Sequence, residues 1–263
     1  MSGRNRRSKP LRQISGLFLA PVLSCLMLDP DPATAGPPFR TDDPIPVEPG
    51  HWEIFTFSAA THVRSGTNGT LAGVDANYGA APDLQLHATL PIAFNAPSGG
   101  AARFGYSDTE IGFKYRFVTG DSSGWRPDAA IYPAVDFPTG NAARNLGSGH
   151  VRLFLPLWLQ KSFGKWTAFA GPGYWINPGI GNRNFWYYGW ALQYQVAENL
   201  SLGGEIFHQT ADTADGKAQT GFDLGMTYDL TEHAHLMFAA GRGFQHAPET
   251  NEFSYYASVQ WTF

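Results

Sequence analysis

Phe253-Ser-Tyr-Tyr-Ala-Ser-Val-Gln-Trp-Thr-Phe263 closes the chain, and its period decides the fold. Every second residue (Phe253, Tyr255, Ala257, Val259, Trp261, Phe263) is apolar or aromatic. Between them stand Ser254, Tyr256, Ser258, Gln260 and Thr262, which carry hydroxyl or amide groups. A strand of period two turns one face to hydrocarbon and the other to water. An aromatic last residue fits a transmembrane β-barrel whose final strand closes the sheet. The edge strand of a soluble sandwich also alternates, so strand length and the rhythm of the connections must decide between the two.

Working back to the other end, residues 1–35 read as a signal peptide. Arg4, Arg6, Arg7, Lys9 and Arg12 form a basic start, 14–28 is apolar, and Ala33-Thr-Ala35 offers a cleavage site before Gly36. An apolar run of fifteen residues that contains Pro21 is short for a membrane helix. Neither the Arg6-Arg7 pair nor Cys25 sits in a context that fits twin-arginine or lipoprotein export. Cys25 is the only cysteine, so the mature protein must be held by a large core or by complete strand closure rather than by disulfides. The mature 228 residues keep 13 of 18 basic and 20 of 22 acidic side chains, a net charge of about −7. No basic patch is present to neutralise phosphates, which excludes nucleic acid as a partner. After residue 35 no stretch approaches twenty apolar residues, which excludes helical spans.

Residues 36–50 carry five prolines (Pro37, Pro38, Pro44, Pro46, Pro49) and can form neither a ladder nor a helix. The expectation is an N-terminal arm, hanging in the periplasm or entering the barrel as a short plug, with Asp42 and Asp43 its candidate functional residues. Residues 51–263 then divide into twelve strands: 51–62, 70–79, 83–94, 107–118, 127–137, 149–161, 166–176, 185–196, 199–209, 218–229, 233–244 and 253–263. A tilted strand needs about nine to eleven residues to cross hydrocarbon, and most of these are that long. Connections after strands two, six, eight and ten are tight. Those after strands one, three, five, seven, nine and eleven read as longer and rich in Gly, Asn, Asp and Ala. Short turns at one end and long loops at the other is the outer-membrane pattern; 119–126 is the exception, long where a short turn belongs. The fold class expected is all-β, a single antiparallel transmembrane barrel.

Alternation also assigns faces. Leu86, Leu90 and Ile92 oppose Gln85, His87 and Thr89; Ile111, Phe113, Tyr115 and Phe117 oppose Asp108, Glu110, Lys114 and Arg116; Phe222 and Leu224 oppose Asp223. Trp166, Trp175, Trp186, Tyr194 and Trp261 lie near strand ends, where interface girdles form. Asp108, Glu110, Lys114, Arg116, Glu205 and Asp223 are the lumen-lining candidates. Buried charges need partners or water, so they form either an ion-pair lattice that stiffens the lumen or a lining that selects solutes. Pro138, Thr139, Gly140 and Arg144 belong to a rim loop that is a turn or a gate.

The segment Gly36-Pro-Pro-Phe-Arg-Thr-Asp-Asp-Pro44 and Gly50-His-Trp-Glu53 resembles the start of a family of bacterial outer-membrane proteins. Asp108-Thr-Glu-Ile-Gly-Phe-Lys-Tyr-Arg-Phe117 and Phe137-Pro-Thr-Gly140 fit the same pattern. The family is described as transporter-like, or as a component of the meta-pathway of phenol degradation. The resemblance implies passage of small aromatic or hydrophobic compounds across the outer membrane.

Together these readings give an outer-membrane, porin-like channel for small solutes, with outer-membrane lipid around it and barrel-assembly machinery recognising the strand that ends in Phe263. No cofactor, metal or catalytic residue is expected. The alternatives are a packed-lumen structural or adhesion barrel and, further off, an outer-membrane lipid hydrolase. No histidine stands two residues before a serine, and no Gly-x-Ser-x-Gly occurs. His233-x-His235 could put two imidazoles on one strand face, too few for a metal site alone.

Overall fold

The computed structural model describes residues 38–263. The expected signal peptide, its cleavage site and the first two residues of the arm lie outside the described residues. Fourteen strand segments follow in chain order. They are β1 (Trp52–Val63), β2 (Gly66–Ala81), β3 (Leu84–Pro97), β4 (Arg103–Tyr106), β5 (Thr109–Val118), β6 (Asp128–Ile131) and β7 (Ala134–Phe137). The series continues with β8 (Arg152–Phe163), β9 (Trp166–Ile176), β10 (Phe185–Ala197), β11 (Leu200–Gln209), β12 (Gln219–Thr231), β13 (Ala234–Gln245) and β14 (Phe253–Thr262). A single helical turn, α1 (Ala247–Thr250), precedes β14.

Each segment pairs antiparallel with its neighbours, and β1 pairs with β14 from Glu53↔Thr262 to His62↔Phe253, which closes the sheet. Trp52 and Phe263 exchange backbone hydrogen bonds of 3.1 and 3.0 Å at that seam. The fourteen segments make twelve staves, because two staves are broken. β4 and β5 both pair with β3, joined through the Ser107 N–H donating to the Pro91 carbonyl at 3.0 Å. β6 and β7 both lie between β5 and β8, and Pro133, which has no N–H to give a ladder, sits at their break. The barrel is all-β, closed and twelve-stranded.

The expected tight turns are there: Pro82-Asp83, Gly164-Lys165, Glu198-Asn199 and Glu232-His233. The opposite end differs from the expectation in two places. β1 and β2 are joined by Arg64-Ser65 alone, because β2 begins at Gly66 rather than at 70; its polar, small-residue start (Gly66-Thr-Asn-Gly-Thr70) reads as loop yet pairs in register with β1 and β3. β3 likewise runs on to Pro97, so only 98–102 separate it from β4. The long connections at that end are 138–151, 177–184, 210–218 and 246–252. Among the short-turn connections 119–127 is the long one, as read from sequence. There Lys161 donates to the Asp121 carboxylate at 2.9 Å and holds it below the usual carboxylate range.

The molecule is apolar outside and polar inside. Leu86, Leu90, Ile92, Ile111, Phe117, Ile206 and Leu224 are exposed on the outer wall, while Gln85, His87, Lys114, Glu205, Asp223 and Gln260 are buried on the inner one. That inversion suits a barrel set in hydrocarbon. Outer-wall aromatics pair near strand ends, Trp52 with Tyr78, Trp166 with Tyr194 and Tyr174 with Trp186, all at 4.6–4.7 Å between ring centroids. Trp175 is a correction: it points inward, stacks on Phe154 at 4.6 Å and lies under the Arg152 guanidinium. The two-residue period that puts Tyr174 outside fixes Trp175 inside.

Candidate functional site

Residues 38–50 run through the barrel interior. The prolines explain how: a chain that cannot extend the sheet must be held by side chains, and the wall supplies them. Glu205 on β11 accepts from Arg40 N (2.9 Å), Thr41 N (2.8 Å), Thr41 Oγ1 (2.5 Å) and Tyr187 OH (2.5 Å). Arg40 Nε lies 3.5 Å from Asp223 Oδ2, its Nη2 donates to Ser254 Oγ at 3.3 Å, and its guanidinium covers the Phe207 ring at 4.3 Å. On the far wall Lys114 Nζ lies 3.4 Å from Asp42 and 3.6 Å from Asp43, and 5.0 Å above the Tyr132 ring. Val47 N donates to Gln85 Oε1 at 3.0 Å, and the arm leaves the lumen where Gly50 N donates to Gly79 O at 2.8 Å. That exit is at the short-turn end.

The fit is close. Thr41 is 0 % exposed, and a Cβ built on Gly189 would stand 1.9 Å from its hydroxyl. Asp43, on the arm rather than on a spanning strand, has its carboxyl pushed up to about 6 by burial, against the Lys114 ammonium and helped by the adjacent Asp42. Beside the arm a cavity of about 320 Å³ is bounded by Asp42, Asp43, Glu53, Asp75, His87 and Lys114 on one side and by Phe154, Trp158 and Trp175 on another. A second, of about 350 Å³, lies past the arm's Phe39 and Arg40.

A family model described as "Putative MetA-pathway of phenol degradation" matches residues 41–261. The chain belongs to that family. The match begins at Thr41, inside the lumen-bound arm, and ends at Trp261 in the closing strand. Among solved structures the chain is similar to the COG4313 outer membrane channel from Pseudomonas putida F1, with a TM-score of 0.66 at 15% identity, covering 83% of this chain and 97% of that one. It is also similar to the KdgM porin in complex with disordered oligogalacturonate (0.56 at 8%, covering 80% and 99%) and to the NanC porin (0.50 at 8%, covering 80% and 98%). At these identities the likeness is one of fold. No characterised protein matches by sequence.

Within this family member the lumen candidates separate into three groups. Lys114, Glu205 and Asp223 meet the arm. Glu110 and Arg116 are paired without the arm: Glu110 with His87 Nε2 at 2.8 Å, Arg116 with Asp83 of the β2–β3 turn at 2.7 Å and with Asp128 at 3.5 Å. Asp108 does neither. It holds the rim loop, accepting from Gly140 N at 3.0 Å and from Ser148 N and Oγ at 2.7 and 2.6 Å. Thr139 Oγ1 ties the same loop to Ser107 O and Thr109 N, each at 2.9 Å. Pro138 and Arg144 are exposed there, and Leu146 tucks under the loop against Gly105.

His87, Asp75, Asp136, Arg152 and Tyr187 escaped selection in the sequence, although their inward parity was readable; the partners on neighbouring strands were not. His233 is a correction, since it lies in the turn while His235 Nδ1 meets Asp229 at 2.6 Å. Among the described residues no histidine ring bonds a serine hydroxyl. Cross-strand threonines come closer: His62 Nδ1 stands 2.8 Å from Thr67 Oγ1 with Glu252 3.6 Å from Nε2, and His208 Nδ1 stands 2.8 Å from Thr220 Oγ1.

Proposed function

We propose that the protein is an outer-membrane channel for small solutes, aromatic or hydrophobic ones among them, whose lumen is closed by its own N-terminal arm. The observation that carries this reading is the arm inside a closed barrel, held there by side chains, with a single backbone bridge, Pro49 to Gly79, where it leaves. A segment attached through a few polar contacts can leave without unmaking the sheet. Family membership and the shared fold of outer-membrane channels support the reading, and the inward aromatics Phe154, Trp158, Trp175 and Tyr187 offer apolar solutes a surface. In this reading residues 1–35 direct export, Asp42 and Asp43 are latch residues with Lys114, Glu205 and Asp223, and the Phe263 strand is presented to the assembly machinery. The ion pairs that close wall to wall favour one second reading, a packed barrel that conducts nothing. Planar-bilayer recording separates the two. The full mature chain should be mostly silent, and a chain lacking residues 36–50 should carry steady current. Silence from both, with folding shown by heat-modifiable gel migration, would refute the channel.

A further inference from the structure

The wall charges inside the barrel fall into two sets. Arg152 pairs with Asp136 at 2.5 Å, Arg116 with Asp83 and Asp128, and His87 with Asp75 at 3.0 Å and Glu110 at 2.8 Å, all without help from the arm. Three almost wholly buried charges have no such wall partner, and neither has the half-buried Glu53 of β1, which shares the cavity beside Lys114. Among the described residues the only carboxylates within 4.0 Å of Lys114 are Asp42 and Asp43, the only cation that close to Asp223 is Arg40, and none is that close to Glu205. Each of the three is at most 5 % exposed. A buried charge left unpaired is costly, so a barrel that filled its lumen for rigidity alone would have paired these three with the wall too.

They are also sorted by sign. Glu205 and Asp223 are neighbours across β11 and β12, and Lys114 stands on β5, on the other side of the arm. The occupant bridges them with matching ends: a guanidinium and two N–H groups at the carboxylate pole, two carboxylates at the ammonium pole. Both poles are faced with aromatic rings, Phe207 under Arg40 and Tyr132 under Lys114. Four residues, Arg40 to Asp43, make the bridge, a span of about 10 Å in an extended chain.

We infer that the arm occupies, as an internal stand-in, a binding site for bipolar solutes: molecules of about dipeptide size with a cationic N–H group at one end and a carboxylate at the other. When the arm withdraws, Glu205 with Asp223 and Lys114 face an open lumen with no counter-ion from the wall, Glu205 keeping the Tyr187 hydroxyl and Asp223 the Ser254 hydroxyl. A solute carrying both charges satisfies both poles at once. One carrying a single charge leaves the opposite pole unpaired, which is how a site built for polar groups rejects an analogue lacking them. The inference rests on the arm being releasable, and the measurement of it does not depend on current.

The test uses the full-length chain with Arg40→Pro, Thr41→Pro, Asp42→Asn and Asp43→Asn, which removes the guanidinium, the hydroxyl, both N–H donors and both arm carboxylates while leaving the wall untouched. Three blocked dipeptides are titrated calorimetrically into the detergent-solubilised protein: acetyl-Arg-Asp-amide, acetyl-Arg-Asn-amide and acetyl-Gln-Asp-amide. The bipolar peptide should bind at least tenfold more tightly than either single-charge peptide. Lys114→Gln should erase its advantage over acetyl-Arg-Asn-amide, and Asp223→Asn, which removes the carboxylate that faces the guanidinium, its advantage over acetyl-Gln-Asp-amide. Equal binding of all three peptides would overturn the inference, as would a preference that survives both wall substitutions. So would absence of binding in both this variant and the chain lacking residues 36–50. Bipolar binding without bilayer current would leave the site standing and remove the channel, and current without bipolar preference would do the reverse.

Discussion

Gly189 sits on the inner wall opposite Thr41, and its missing side chain is what lets the arm reach Glu205. A Cβ there would meet Thr41 Oγ1 at 1.9 Å and Tyr187 OH at 2.7 Å, closer than nonbonded atoms tolerate. Thr41 could yield only by giving up its bond to Glu205, a buried hydrogen bond to a charged group worth about 1.5–3 kcal/mol. Gly189→Ala should therefore raise the open fraction in bilayer recordings about tenfold or more while heat-modifiable migration stays normal. Adding Thr41→Ala, which removes the opposing hydroxyl, should restore part of the closure. An unchanged open fraction in Gly189→Ala would mean that this contact does not hold the arm. Glycine 189 was legible in the sequence as an inward position of a strand, but not as a contact, because its partner lies almost 150 residues away.

The arm as an element adds a dependence on pH. Its Asp43 carboxyl titrates near 6 when docked, against 3.8 for an ordinary aspartate. Docking therefore takes up a proton. The stabilisation is complete below 3.8 and is lost as pH rises through about 6, so the arm holds best in acid. Lys114 from β5 and Glu53 from β1 face this carboxyl along with Asp42, and all belong to the same cavity. Current through the full chain should thus grow between pH 4 and pH 7, and Asp43→Asn should flatten that rise. The same rise in the Asn variant would place the titration on wall carboxylates instead. Five prolines announced that residues 36–50 join no ladder, and both a plug and a free arm satisfied that composition. What decides between them is Glu205 and Lys114, whose side chains reach the arm from strands far along the chain. Rim loop 138–151 shows the same limit: Phe137-Pro-Thr-Gly140 read as a turn, yet its anchor, Asp108, read as a lumen residue because parity gives a direction and not a destination.

At the scale of the whole molecule the fold was readable because hydrocarbon imposes a rule on every stave at once. Alternation recurs on stave after stave and tight turns recur four times at one end, so the two broken staves and the two-residue β1–β2 turn did not obscure the closed barrel. Lumen contents obey no such rule, since each inward residue answers only to its own neighbours. The same asymmetry gives a test of the membrane setting. Leu224 lies midway along β12 on the outer wall, 62 % exposed, and its strand neighbour Asp223 is buried in the lumen. In lipid an outward arginine near the bilayer midplane costs roughly 2–4 kcal/mol, whereas on the surface of a soluble sandwich the same change is worth about ±0.5 kcal/mol. Denaturant unfolding of Leu224→Arg in lipid vesicles should show the larger loss. Placing the arginine instead at Phe253, also outward but at the end of β14 where the interface admits charge, should cost at most about 1 kcal/mol. Equal costs at the two positions would mean that depth in hydrocarbon does not set them. The barrel's apolar coat would then need an explanation other than lipid.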